Sequence, residues 1–196
     1  MPRRAVTLLA WLLVIGGIAT TWALVHQSMP GWYARLWYPL EHEQAIREEA
    51  ERNALPPELV AAVIHAESQF VADSRSPQGA VGLMQVLPST ARWAASRPRR
   101  PSPGPSDLED PETNIAYGAY VLAHMREQFG SVPAALAAYN AGDANLRRWQ
   151  ARARARGEVF RIPEDVPFPE TRAYVTRVME LTAVYRRAYG EKLATP

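Results

Sequence analysis

The chain has no cysteine, which removes disulfide bonds, thiolate catalysis, cysteine-ligated metals and a lipid-modified cysteine anchor together. Its four histidines, His26, His42, His65 and His124, are scattered and form no HExxH or similar pair, so neither a zinc site nor any other cofactor is expected. Charge of one sign is also scarce. A net charge of +2 gives no argument for nucleic acid as a partner, and no nucleic-acid motif accompanies the arginines. No segment shows the strict alternation of a half-buried strand, and there is no internal repeat. With 47% hydrophobic residues the chain is globular, and 196 residues suffice for one ordinary domain plus an N-terminal extension. The expected fold class is all-α.

What is present begins with a long apolar run. Arg3 and Arg4 precede "AVTLLAWLLVIGGIATTWALV", uncharged from Ala5 to Val25. About 20 apolar residues span a bilayer, whereas the core of a cleaved signal is about 7–15. The run therefore reads as an uncleaved transmembrane helix, with Thr21-Trp22-Ala23 as a weak cleavage site in the alternative. Arginines ahead of it favour a cytoplasmic N-terminus. The expectation is a single-pass protein of the cell membrane, with residues 1–30 as stub and anchor. Residues 31–196 then form an extracytoplasmic helical domain, periplasmic or on the outer face. Trp32, Tyr33, Trp37 and Tyr38 follow the run, suited either to the lipid headgroup level or to docking on that domain.

Further along, a polar helix is expected from Glu41 to Ala54 with Ile46 and Ala50 inward, stopped by Pro56-Pro57. Pro57 and Glu58 suit the first turn of the next helix. A loop with Gly79 and Gly82 leads to a short helix from Pro88. "SRPRRPSPGPSD" holds four prolines and reads as a surface loop of polyproline character. Asn114 is placed as the cap of a helix over Ile115 to Phe129, ended by Gly130. Pro133 opens an Ala-rich helix closed by Gly142. The basic run from Arg147 to Gly157 is a solvated helix face or, alternatively, a surface for anionic wall polymer, peptide-stem carboxylates or lipid headgroups. A last helix is expected over Thr171 to Tyr189, ending at Gly190.

The segment "VAAVIHAESQF" raises the chemical question. Val60, Val63 and Ile64 mark the buried face of a helix, and Glu67 follows Val63 by four residues and Ile64 by three, on that same face. Burial disfavours the charged carboxylate and raises its pKa, which suits a general acid at neutral pH. Spacing alone leaves a structural ion pair equally open. His65 falls off the apolar face and is expected in solvent. Asp73, the nearest acid in sequence, sits in a loop with an ordinary turn role.

Four motifs in order, "ESQF", "SPQGAVGLMQ", "AAYNAG" and "PFPETRAYV", make the stretch from about Trp37 to Tyr189 resemble the lytic transglycosylase catalytic domain of the soluble-transglycosylase type. The resemblance implies a lysozyme-like helical fold acting on peptidoglycan glycan strands. It implies cleavage of the β-1,4 bond between N-acetylmuramic acid and N-acetylglucosamine, leaving 1,6-anhydromuramic ends. Glu67 matches the single catalytic acid/base. Ser76 matches a serine facing the acetamido side of the sugar, with a turn role before Pro77 as the alternative. Met84 and Gln85 match a pair lining the groove, Met84 being nearly as well explained as plain core. Tyr139 matches a tyrosine whose hydroxyl reaches the catalytic carboxyl, and Asn140 is assigned to the turn after it. Glu170 and Tyr174 match the segment beneath the cleft, Glu170 suiting a helix N-terminus equally well. The same residues would serve a water-using lysozyme, and a glycan-binding module without activity is the non-enzyme alternative.

Overall fold

A computed structural model describes residues 11, 14–18, 20, 22, 30–96, 104 and 106–194. Eight α-helices form the domain among these residues: α1 Gly31–Trp37, α2 Glu43–Arg52, α3 Pro57–Ser68, α4 Pro88–Ala95, α5 Pro111–Phe129, α6 Val132–Ala141, α7 Asp143–Ala155 and α8 Pro169–Leu193. A single 3-10 turn, Asp107–Glu109, precedes α5. Among the described residues there is no strand, only isolated bridges joining Arg75 to Val81 and Val81 to Val86. The all-helical expectation holds. Most of the Ala5–Val25 run and most of the proline-rich loop lie outside the described residues. Among the described residues, no helix is long and apolar enough to cross a membrane.

Helix α3 is the hub. Pro57 stands in its first turn, and Leu59 through Ile64 are all buried at 5% exposure or less, so this helix is wrapped on every side rather than along one stripe. Each fully buried Leu, Val or Ile contributes about 1.5–3 kcal/mol of transfer free energy, enough to fix α3 at the centre. It packs chiefly on α8, the longest helix, which supplies Val175, Val178, Leu181 and Tyr185 to the same core. Ile46 and Ala50 of α2 point inward as expected. Arg147, Arg148, Arg152, Arg154 and Arg156 are exposed on and just beyond α7, as both readings of the basic run require.

Helix α1 divides the two roles open to its aromatics. Ala34 is buried, and the chain around it is tied to α8 by Arg35 Nε donating to the Ala188 carbonyl at 2.8 Å and Tyr189 donating to the Tyr38 carbonyl at 3.0 Å. Trp32, Leu36 and Trp37 remain exposed on its other side. Two boundaries differ from expectation. Helix α8 runs through Gly190 to Leu193, because Leu193 is buried at 1% exposure and draws the last turn onto the core.

The second difference concerns Asn114, which does not cap. Asp110 is the N-cap of α5, accepting from the Thr113 N–H at 2.9 Å, and Asn114 lies inside the helix, fully buried. Its Nδ2 donates to the carbonyls of Val81 at 2.8 Å and Leu108 at 2.7 Å, and its Oδ1 accepts from the Met84 N–H at 2.7 Å. Three backbone groups from two loops are satisfied by one amide. Gly82 leaves room for it: a β-carbon there would stand 2.2 Å from Asn114 Nδ2, and its φ of +80° suits glycine. A buried polar group left without a partner costs about 1–3 kcal/mol, so Asn114→Ala should lower unfolding stability by about 3–5 kcal/mol, checked by urea denaturation.

Candidate active site

Glu67 occupies the last turn of α3. The chain then turns sharply, with Gln69 at φ +54° and Phe70 at φ +66°, two consecutive non-glycine residues in the left-handed region. Such geometry persists only where the surroundings over-determine it. Phe70 is held by burial. Ser68, in the "ESQF" motif, is buried with its Oγ 2.9 Å from the Leu83 carbonyl and 3.2 Å from that of Ile64, tying the end of α3 to the loop opposite.

That loop carries three of the expected residues. The Ser76 Oγ accepts from the Ala80 N–H at 3.0 Å, which closes the turn and leaves its hydroxyl proton available to a ligand. Gln85 is half-buried at φ +47°, its Nε2 donating to the carbonyls of Gly82 at 2.9 Å and Ser74 at 3.1 Å. Its Oε1 has no partner among the described residues and stays available as an acceptor. Met84 takes the core alternative: its side chain is fully buried against Gly118, where a β-carbon would meet Sδ at 2.4 Å.

The tyrosines also differ from expectation. Tyr139 donates to the Met84 carbonyl at 2.7 Å instead of to Glu67. Tyr174 instead faces the Glu67 carboxyl and interacts with it, while making no hydrogen bond of standard geometry to any group. It is the buried hydroxyl still waiting for a fully aligned acceptor. Asn140 does not serve only its own turn: its Oδ1 accepts from the Thr171 hydroxyl at 2.7 Å, joining α6 to the first turn of α8. Glu170 is exposed in that same first turn.

Burial pushes the Glu67 carboxyl up to about 7, opposed by the Tyr174 hydroxyl and the Arg177 guanidinium and reinforced by the negative charge of Glu170. The same burial, with the charge of Glu67 nearby, drives both Tyr139 and Tyr174 well above the usual phenol range. Glu67 therefore exchanges a proton near neutrality while its two phenol neighbours keep theirs. Sequence reasoning missed Arg177, whose exposed position on α8 gives no periodic signal. It also misplaced His65, which packs among the rings of Tyr38, Phe70 and Tyr185. Among the described residues no cluster of His, Asp or Glu could hold a metal ion.

Comparison with known proteins identifies the family. The family model for the transglycosylase SLT domain matches residues 44–159. The chain belongs to the transglycosylase SLT family. It is 36% identical over 159 residues to the soluble lytic murein transglycosylase of Escherichia coli K12, covering 79% of this chain and 24% of that protein. It is 27% identical to a membrane-bound lytic murein transglycosylase C of Yersinia enterocolitica, covering 87% and 53%. The crystal structure of the 70 kDa soluble lytic transglycosylase of Escherichia coli superposes with a TM-score of 0.73 at 33% identity, covering 82% of this chain and 26% of that one. An inactive Glu-to-Gln mutant of lytic transglycosylase Slt from Pseudomonas aeruginosa superposes with a TM-score of 0.72 at 29% identity, covering 88% and 28%. The chain thus spans about a quarter of the length of these soluble SLT relatives. The fold is the all-helical, lysozyme-like SLT fold.

Two pH effects follow from Glu67. Its unfolded-state value is near 4.5 and its folded value about 7, so between those limits the unfolded chain gives up its proton first and the fold loses stability as pH rises. Glu67→Gln cannot ionise, and its melting temperature should exceed that of the wild type above pH 7 and match it near pH 4. Tyr174→Phe removes an interaction that holds the carboxyl down, so the basic limb of its pH–rate profile should move above the wild-type position near 7.

Proposed function

We propose that the chain is a lytic transglycosylase of peptidoglycan, cutting the β-1,4 bond between N-acetylmuramic acid and N-acetylglucosamine and leaving a 1,6-anhydromuramic end. One observation carries the reading: a half-buried carboxyl with a value near 7, opposite two protonated tyrosines, in the SLT fold. Protonated Glu67 gives its proton to the glycosidic oxygen as that oxygen leaves C1. The resulting carboxylate then takes the proton of the sugar's own 6-hydroxyl as O6 bonds to C1. No water enters, so no second residue is needed to activate one. Tyr174 and Arg177 stabilise the carboxylate between the two transfers, while burial favours the acid at both ends. Cycling between the forms requires this near balance.

Ser76 offers a hydroxyl proton and Gln85 an acceptor oxygen to the acetamido and hydroxyl groups of the strand. A relative of this fold that is inactive as a Glu-to-Gln mutant supports an essential glutamate in the site. Glu170 is the other carboxylate whose charge reaches Glu67, and it is the candidate base if water is used instead. Mass spectrometry of digested peptidoglycan should show products one water lighter than those of a lysozyme, and reducing muramic ends alone would assign hydrolysis. Glu67→Gln should lose about 10²–10⁴-fold in rate, the usual share of a general acid.

We further propose that residues 1–30 anchor the domain to the cell membrane with the catalytic part outside. Exposed Trp32, Leu36 and Trp37 on α1, directly after the apolar run, suit the headgroup level. Full-length protein should sediment with membranes and resist salt extraction, while a chain lacking residues 1–30 should stay in the supernatant.

A further inference from the structure

The basic run on α7 has no part in the proposed reaction. Residues 143–156 hold five Arg against one Asp, whereas the whole chain is only +2, so the rest of it is net acidic by two charges. Leu146, Trp149 and Ala153 form the buried face of α7. Helical spacing then sets Ala144, Ala151 and Ala155 along the middle of the opposite face, with Arg147 and Arg154 on one flank and Arg148 and Arg152 on the other. All of these alanines and arginines are exposed. A strip of methyl groups runs between two rows of guanidiniums.

These rows are poorly neutralised from within. Arg147 faces Asp143 at 3.6 Å, donates to Gln128 and stands over the Phe129 ring, and Arg156 pairs with Glu158. Arg148 donates to the neutral Asn145 side chain, and among the described residues Arg152 and Arg154 have neither an ion pair nor a hydrogen bond. Arg148 and Arg152, four apart, form a like-charge pair of the kind that destabilises a helix, and Arg156 repeats the interval. The helix dipole favours cations in the last turn, which accounts for Arg152 and Arg154 but not for Arg148 in the middle of the helix. An anion from outside would relieve the repulsion.

Position in the fold selects which anion. Trp149 packs edge-on against Phe168, the N-cap of α8, with ring centroids 5.0 Å apart. Helix α1 is tied to the other end of α8, at Ala188 and Tyr189. Twenty residues separate Phe168 from Ala188, about 30 Å of helix at 1.5 Å per residue. Tyr174, which faces Glu67, lies between the two ends. With residues 1–30 in the membrane, the α1 end meets lipid and the α7 end is the distant one. Guanidinium forks suit phosphate groups, and charge spread over three turns suits a repeating anion rather than a single small one. Resting on the transglycosylase and anchor readings, we infer that the arginine rows of α7 dock a phosphate-bearing anionic polymer of the cell wall, laid along the alanine strip. Docking holds the catalytic domain against the wall that contains its substrate strands.

The test uses the full chain in nanodiscs of a neutral lipid, titrated calorimetrically with poly(glycerol phosphate). Wild type should bind, and its affinity should fall about 20-fold between about 50 and 200 mM salt, the slope expected for three neutralised phosphates. The triple variant Arg148→Gln, Arg152→Gln, Arg154→Gln should lose binding at the lower salt. All three side chains are exposed, so its melting temperature should match the wild type and the loss is not one of folding. Unchanged affinity in the variant, or no wild-type binding at the lower salt, would overturn the inference. Exchanging part of the neutral lipid for phosphatidylglycerol, which carries the same glycerol phosphate group, separates the two sources. Polymer affinity should hold, because the face lies farther from the bilayer than a Debye length of about 10 Å at 0.1 M salt. Loss of polymer binding in the anionic bilayer would put the face on the lipid and overturn the inference. Anhydro products without polymer binding would overturn it and leave the transglycosylase reading standing, whereas polymer binding without anhydro products would count against that reading alone.

Discussion

The buried amide of Asn114 is the constraint on which the site depends. Its three hydrogen bonds hold the Val81, Met84 and Leu108 backbones at once. Held there, Met84 presents its carbonyl to Tyr139 and Leu83 presents its own to Ser68. The first contact fixes the phenol beside the acid, and the second fixes the end of the helix that bears it. Gln85, one residue on, is placed at a left-handed φ with its amide donors tied down and its oxygen open. A polar network buried this deeply is useful only when complete, since each missing partner leaves a desolvated group behind. Completeness here has a chemical product: three helices and one loop meet at Glu67 in a single arrangement.

That arrangement works through opposed effects of similar size. Burial alone would keep Glu67 protonated throughout the neutral range, leaving an acid that gives its proton with reluctance. A guanidinium in direct contact would do the reverse and leave a permanent carboxylate. The fold instead puts a phenol close and Arg177 in an exposed position, where solvent weakens its pull. Glu170 pushes back from the surface. The result near 7 is a compromise in which neither proton transfer of the proposed reaction is far uphill.

Much of this was legible in the sequence, and the reasons for success and failure are physical. The burial of Glu67 was legible because Val63 and Ile64 set the apolar face on which it falls, and periodicity shows that face. Most helix boundaries followed from Pro at first turns and Gly at ends. Asn114 was misread because asparagine favours caps, and only tertiary packing shows the loops that fill its bonding capacity inside α5. Gly190 signalled an end that the burial of Leu193 overrides. Met84 was left between core and groove, and His65 was misplaced, for a shared reason: one helix or loop viewed alone does not reveal what packs over it, here Gly118 of α5 and the rings of Tyr38 and Tyr185. The two tyrosines were exchanged because motif order carries no information on which hydroxyl wins a carbonyl.

The exchange of tyrosines has a consequence for the proposed mechanism. A phenol hydroxyl beside Glu67 can donate either to the carboxyl or to a backbone carbonyl. Tyr139, satisfied by a backbone carbonyl, is removed from that competition and serves as a fixed wall. Tyr174 is left with a buried donor that lacks a well-aligned acceptor, a state that costs stability at rest. The arrangement makes sense if the acceptor improves during the reaction. Once the proton leaves Glu67 the carboxyl becomes a full charge, and a hydrogen bond to it is worth about twice one to a neutral acceptor. Tyr174 thus contributes least when Glu67 is an acid and most when it is a base. Interactions that strengthen as charge develops lower a barrier, whereas those equal in both states only bind.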